Sequence, residues 1–220
     1  MKRSPTAELL DADAGTPQEI ADSLNDLRGI NRHFGGLAVT QGMIEKVAQQ
    51  TSCRQFSLLE VASGSGYVPQ TVREQLTTKG ITLNLTLLDR AKSHLGNGTA
   101  ALVADALAIP LPDSSFDLVS CTLFVHHLSP ADCVRFFREG LRVGRKALLV
   151  NDLIRNFLHL VLVYAATPLY RSRLTKHDAP ASVRQAYTQA EMRDMLSRAG
   201  ATRVEIDRYF LYRMGAIAWK

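Results

Sequence analysis

At 220 residues the chain has the length of one α/β domain with a full core. Its hydrophobic share is an ordinary 46%, and its longest apolar stretches, such as Phe157–Ala166, fall short of the ~20 residues of a membrane span. The net charge of +5 comes from a surplus of arginines in the last third, but these are dispersed and lack interleaved aromatics, which marks a solvated basic face rather than a nucleic-acid groove. The opening MKRSPTAELLDADAG has no apolar core of a secretory signal, so a cytoplasmic location is expected. Cys53, Cys121 and Cys133 are odd in number and contain no CxxC pair, which predicts reduced thiols and neither a disulfide framework nor a zinc site.

Residues 1–15 are expected to be loose. Thr16-Pro17-Gln18-Glu19 combines an N-cap, an initiating proline and a capping-box acid, and Ile20, Leu24, Leu27 and Ile30 follow at helical spacing. That helix ends near Gly35-Gly36, and a second one is expected over Gly42–Gln50.

From Ser57 apolar strands alternate with helical segments, the pattern of a parallel sheet covered on both faces. The strands are read at Ser57–Val61, Ile81–Leu88, Ala100–Ala104, Asp117–Thr122 and Lys146–Val150. Leu153–Ala166 then reads as helix, Pro168 interrupts, and Arg171–Pro180 reads as a basic loop. At some ~35 residues this connection is long enough to be a lid. Thr188-Gln189-Ala190-Glu191 caps another helix that Gly200 stops, and Thr202–Phe210 with Arg213–Trp219 should form an antiparallel hairpin.

The chemistry concentrates at strand ends. Leu58–Tyr67, LLEVASGSGY, reads as strand, tight loop and helix start, where Gly64 and Gly66 let backbone approach a ligand and free amides face it. Glu60, Asp89 and Asp105 each fall at or near the carboxyl end of a strand, the edge where open α/β sheets bind ligands. A dinucleotide fingerprint would place a third glycine at position 69, which is Pro69, and no Tyr-x-x-x-Lys pair supports an NAD-linked reductase.

The E-x-x-x-G-x-G loop from Glu60 to Gly66, followed by Asp89 and by Asp105-Ala106, resembles the class I S-adenosylmethionine-dependent methyltransferases. The resemblance implies a Rossmann-like, seven-stranded, mostly parallel sheet with an antiparallel last strand, helices on both faces and a helical lid. Residues 1–55 would be N-terminal helices covering the site, 56–220 the methyltransferase domain, and 151–187 a substrate-lid insertion. It implies S-adenosylmethionine as cofactor and S-adenosylhomocysteine as product. Glu60, Ala62, Ser63, Gly64 and Gly66 would wrap the methionine portion, Asp89 the ribose hydroxyls, Arg90, Asp105 and Ala106 the adenine, and Cys121 and Thr122 the sulfonium side. Ala62 departs from the family, which most often has glycine there.

Leu123–Leu128, LFVHHL, looks like the segment that faces the methyl group in small-molecule members, including quinone-biosynthesis types. Methyl transfer needs alignment and removal of the acceptor's proton, and an imidazole suits the second task. His127 is the first candidate base, His126 the next, and His177 beside Asp178 the third. For the acceptor, Phe34, Phe124, Asp152, Arg155, His159 and Tyr164 are the expected contacts, with an apolar wall from Leu153, Phe157, Leu160, Val161 and Tyr164. The expected activity is methyl transfer to a small, largely apolar acceptor, first to oxygen on an aromatic or polyketide-like ring. No metal is called for. A quinone-type C-methyltransferase and a non-catalytic cofactor-binding protein are the alternatives, and neither nucleic acid nor a membrane span is expected.

Overall fold

A computed structural model describes residues 1–12, 14–91 and 99–220. Seven strands form one sheet in the order β3-β2-β1-β4-β5-β7-β6, comprising β1 (Gln55–Val61), β2 (Thr82–Asp89), β3 (Ala100–Val103), β4 (Phe116–Thr122), β5 (Gly144–Leu153), β6 (Arg203–Tyr209) and β7 (Arg213–Trp219). Only β7 runs against the rest, pairing antiparallel with both β5 and β6, as the expected hairpin requires. Strand order reverses at β1, between β2 and β4, so the carboxyl ends of these three strands open a crevice.

The alternation of the sequence is explained by two apolar layers. On one face α2 (Gly36–Thr51) and α3 (Tyr67–Thr77) bury Ile44, Val47, Val72 and Leu76 against Leu58, Leu87 and Leu149. On the other, α4 (Pro130–Val143) and α7 (Gln189–Arg198) bury Phe136, Phe137, Met192 and Leu196 against Leu59, Val119 and Val150. Strands covered on both faces must be apolar throughout, which is why they read as runs and not as alternations.

The helix starts follow their caps. Thr16 accepts from the Glu19 amide and Glu19 returns a bond to the Thr16 amide at the head of α1 (Pro17–His33). Thr188 and Glu191 repeat the arrangement at α7. The second helix begins six residues earlier than expected, at Gly36, because Gly35 turns the chain at φ 85° and α2 starts directly from it. The expected basic loop over 171–180 is instead the start of α6 (Arg173–Gln185). Ser172 caps it, and burial of Leu174, Ala181 and Val183 offsets the internal Pro180. With α5 (Phe157–Ala166), α6 forms the roof over the crevice.

The turn from β1 into α3 depends on Gly66, which caps α3 at φ 70°. A Cβ there would lie 2.6 Å from Gln70 Nε2 and 2.7 Å from the buried Leu87 Cδ1. Gly66→Ala is therefore expected to destabilise the protein by roughly 1–3 kcal/mol, through left-handed strain and overpacking together. An unchanged urea midpoint would contradict this account.

Candidate active site

Above the crevice lies a cavity of about 1270 Å³, roofed by α1, α5 and α6. Its floor is the β1–α3 loop. Ala62 is held at φ 52° where glycine would be unstrained, and Gly64 follows at φ 50°. The Gly64 amide donates to Asp89 Oδ2 at 2.8 Å and the Ala91 amide to Asp89 Oδ1 at 2.9 Å, so one carboxylate ties the end of β2 to the glycine loop. Leu123 and Leu211, also in the cavity wall, sit at φ 54° and φ 49°, and left-handed leucines are strained positions of the kind that cluster at ligand sites.

Glu60 is the most perturbed acid of the floor. It is 1% exposed, and burial pushes its carboxyl up to about 7, against the hydrogen bonding of the Ser120 hydroxyl. Among the described residues the Ser63 hydroxyl is buried in the same wall without a hydrogen-bond partner, while the Thr122 hydroxyl lies close enough to Glu60 to oppose the rise of its carboxyl. An unpaired buried hydroxyl beside a carboxylate whose charge burial disfavours fits a ligand that brings both a hydrogen-bonding group and a cation.

The two histidines lie on a single 3-10 turn, Val125–His127, directly after β4. They differ sharply. His126 is buried, with Nδ1 2.6 Å from Asp152 Oδ1 and Nε2 3.6 Å from Glu8 Oε1. Burial opposes its charge, but Asp152 and Glu8 together push its pKa up to about 10, so it is an imidazolium at neutral pH. His127 is partly exposed, its Nδ1 2.9 Å from Asp11 Oδ2. Glu8, His126 and His127 bring ligand-type atoms within 4.8 Å of one another.

Glu8 and Asp11 belong to the segment expected to be loose. Its described residues form no helix or strand, yet they are strapped across the cavity by side chains distant in sequence. Arg3 donates to the carbonyls of Gln185, His126 and Leu128 at 2.6, 3.0 and 2.9 Å. Asp178 accepts from the amides of Leu9 and Leu10, and Ser182 and Gln185 both donate to Glu8 at 2.6 Å. No local pattern in the first fifteen residues announces these partners.

Of the residues singled out from the sequence, Glu60, Ala62, Ser63, Gly64, Asp89, Arg90, Asp105, Ala106 and Thr122 line the cavity, as do Phe34, Phe124, His126, His127 and His159. Six do not. Gly66 caps α3, and Cys121 is packed in the core beneath α4. Asp152 is held by His126, and Arg155 pairs with Glu191 at 2.7 Å while donating to the Ala186 carbonyl at 2.7 Å, a purely architectural set of bonds. Tyr164 is half-exposed and accepts from Arg184, and His177 is turned to solvent beside Asp178 at 2.8 Å. The apolar wall is rotated too. Leu153, Leu162, Val163 and Ala166 face the cavity, whereas Phe157 and Val161 are 71% and 44% exposed. A helix apolar on every side has no periodicity from which to read its inner face.

A family model described as a methyltransferase domain matches residues 59–147. The chain is 24% identical to the ubiquinone/menaquinone biosynthesis C-methyltransferase of Hahella chejuensis, over 99% of this chain and 90% of that protein. Among solved structures, the plantazolicin methyltransferase BpumL bound to S-adenosylhomocysteine superimposes with a TM-score of 0.71 at 12% identity, over 97% of this chain and 94% of that one. A SAM-dependent methyltransferase from Aquifex aeolicus does so at 0.54 and 18% identity, over 80% and 88%. The match runs from β1 into β5, so residues 59–147 are similar to a methyltransferase domain and the chain as a whole has the fold of S-adenosylmethionine-dependent methyltransferases.

Proposed function

We propose that the enzyme transfers the methyl group of S-adenosylmethionine to a small, largely apolar acceptor, at an oxygen on an aromatic or polyketide-like ring. The observation that carries this reading is the shared cavity: the glycine loop, Asp89 and Asp105 line one part, and His127 with apolar side chains of α1 and α5 lines the rest. Glu60, Ser63 and the loop amides would hold the methionine portion, Asp89 the ribose hydroxyls, and Arg90, Asp105 and Ala106 the adenine. The cofactor supplies an electrophilic methyl group. The chain's part is to hold the acceptor oxygen in line with it, exclude water and take the proton, the last by His127 with Asp11 fixing its Nδ1 side. His126, held charged between two carboxylates, anchors the strap instead, and residues 151–187 choose the acceptor as a lid.

The cavity exceeds the volume of an ordinary single-ligand pocket, ~300–1,000 Å³, which suits cofactor and acceptor side by side. None of the described helices is long and apolar enough to cross a membrane, and a cytoplasmic enzyme is the reading we keep. C-methylation of a quinone precursor is the second reading, favoured by the Hahella chejuensis relative. Incubation with methyl-labelled cofactor and a panel of phenols, quinol precursors and RNA tests both. Label on a phenolic oxygen is expected; label on ring carbon would select the second reading, and label on RNA alone would overturn both.

A further inference from the structure

Arg213 opens β7 and is one of the largest fully buried side chains, 1% exposed, yet it lines the cavity. Its bonds are few for five N–H donors. One reaches Asn31 Oδ1 at 3.1 Å and another Asn151 Oδ1 at 3.5 Å. Among the described residues no carboxylate pairs with it. Asp152, the acid whose charge it senses, is committed to His126 at 2.6 Å and to the Leu153 amide at 2.7 Å. The other buried cations are compensated: Arg155 by Glu191, His126 by Asp152. A guanidinium taken out of water without a counter-charge destabilises a fold, and burial accordingly pulls the pKa of Arg213 down to about 10.

The surroundings are built to hold that charge in place. Asn151 Nδ2 donates to the Gly36 carbonyl and to Thr40 Oγ1, both at 2.8 Å, and Asn31 Nδ2 donates to the Leu27 carbonyl at 3.0 Å. Each amide is thereby fixed with its oxygen toward Arg213. Gly36 has no room for a side chain, because a Cβ would fall 2.2 Å from Asn31 Oδ1. Phe34, Leu153 and Leu211 line the same cavity with apolar surface.

We propose that Arg213 is an anion subsite of the acceptor pocket, taking a carboxylate or phenolate oxygen of an ionised aromatic acceptor by charge-assisted hydrogen bonds. The assignment of the anion to the acceptor rests on the small-molecule reading above. The other carboxylate with access to the cavity is that of the cofactor's methionine. Strand order favours the acceptor, because β7 lies three places from β1, whose end carries the glycine loop.

The test uses the full chain with S-adenosylhomocysteine bound, and 4-hydroxybenzoate against the uncharged 4-hydroxybenzamide as probes, followed by calorimetry. The acid is expected to bind and the amide not. Arg213→Met should weaken the acid by roughly 10- to 150-fold, the loss of a hydrogen bond to a charged group, with Arg213→Lys in between. Removing the uncompensated charge should raise the melting temperature of the cofactor-free protein, which shows that Arg213→Met folds. Equal binding of acid and amide, no binding of the acid to the wild type, or undiminished binding to Arg213→Met would each overturn the proposal. So would loss of S-adenosylmethionine binding in Arg213→Met with the acid unaffected, which would hand the guanidinium to the cofactor. Failure of label transfer to every phenol would sink the proposed function while leaving these binding measurements standing.

Discussion

Glu60→Gln is expected to loosen S-adenosylmethionine binding by roughly 10- to 150-fold while making the cofactor-free protein more stable above pH 7. Both effects have one cause. The carboxyl is fully buried and raised to about 7, so the folded protein holds a proton that the unfolded chain, with a carboxyl near 4.3, releases. A raised carboxyl favours folding fully only below the unfolded value. As pH climbs from there through about 7, the folded state must either keep a proton against the solvent or bury a charge, and stability falls. The span of about 2.7 pH units corresponds to roughly 3–4 kcal/mol. Glutamine cannot ionise, so its melting temperature should lack that decline between pH 5 and 8. The wild type should regain the loss when a cationic ligand is bound, and its cofactor affinity should rise through pH 7. Calorimetry and thermal melts across that range read both, and unchanged affinity in Glu60→Gln would remove Glu60 from the cofactor site.

The pH dependence shows how unevenly the molecule is written in its sequence. The sheet was legible because each strand buried on both faces is an apolar run that ends in an acid or a small residue, and the glycine loop announces itself by Gly64 and Gly66. The capping boxes at Thr16 and Thr188 were legible for the same reason: their bonds span three residues. The other half of the site is made by partners far apart in the chain. Glu8 meets Gln185, 177 positions away, and Arg213 meets Asn31, 182 positions away. Nothing local distinguishes Glu8 or Asp11 from any acid in a polar leader. Histidine identity alone likewise did not separate His126 from His127. Only the Asp152 and Glu8 carboxylates, which outweigh burial, turn one into a fixed cation. Arg213 was legible only as one more residue of a basic third, although its flanking run, RMGAIAW, is as apolar as any core strand.

His127→Ala is the second substitution with a large expected effect, a fall in kcat of roughly 10²- to 10⁴-fold with the cofactor affinity untouched. The reasoning is geometric. His127 lines the cavity, keeps part of its ring accessible, and has Nδ1 occupied by Asp11 at 2.9 Å, which leaves Nε2 as the nitrogen able to take a proton. His126 has neither nitrogen free, with Asp152 on one and Glu8 near the other. Asp11→Asn should therefore cost less than His127→Ala, since the imidazole survives and only its orientation is loosened. Glu8→Gln should act differently again, weakening the strap through Ser182, Gln185 and His126 and raising the acceptor's KM more than it lowers kcat. The decisive comparison is the pH–rate profile: the rise that reports an ionising base should vanish in His127→Ala and persist in Glu8→Gln. Equal turnover by His127→Ala and wild type would mean that the acceptor arrives already ionised, and the role of this end of the cavity would then be to hold an anion rather than to make one.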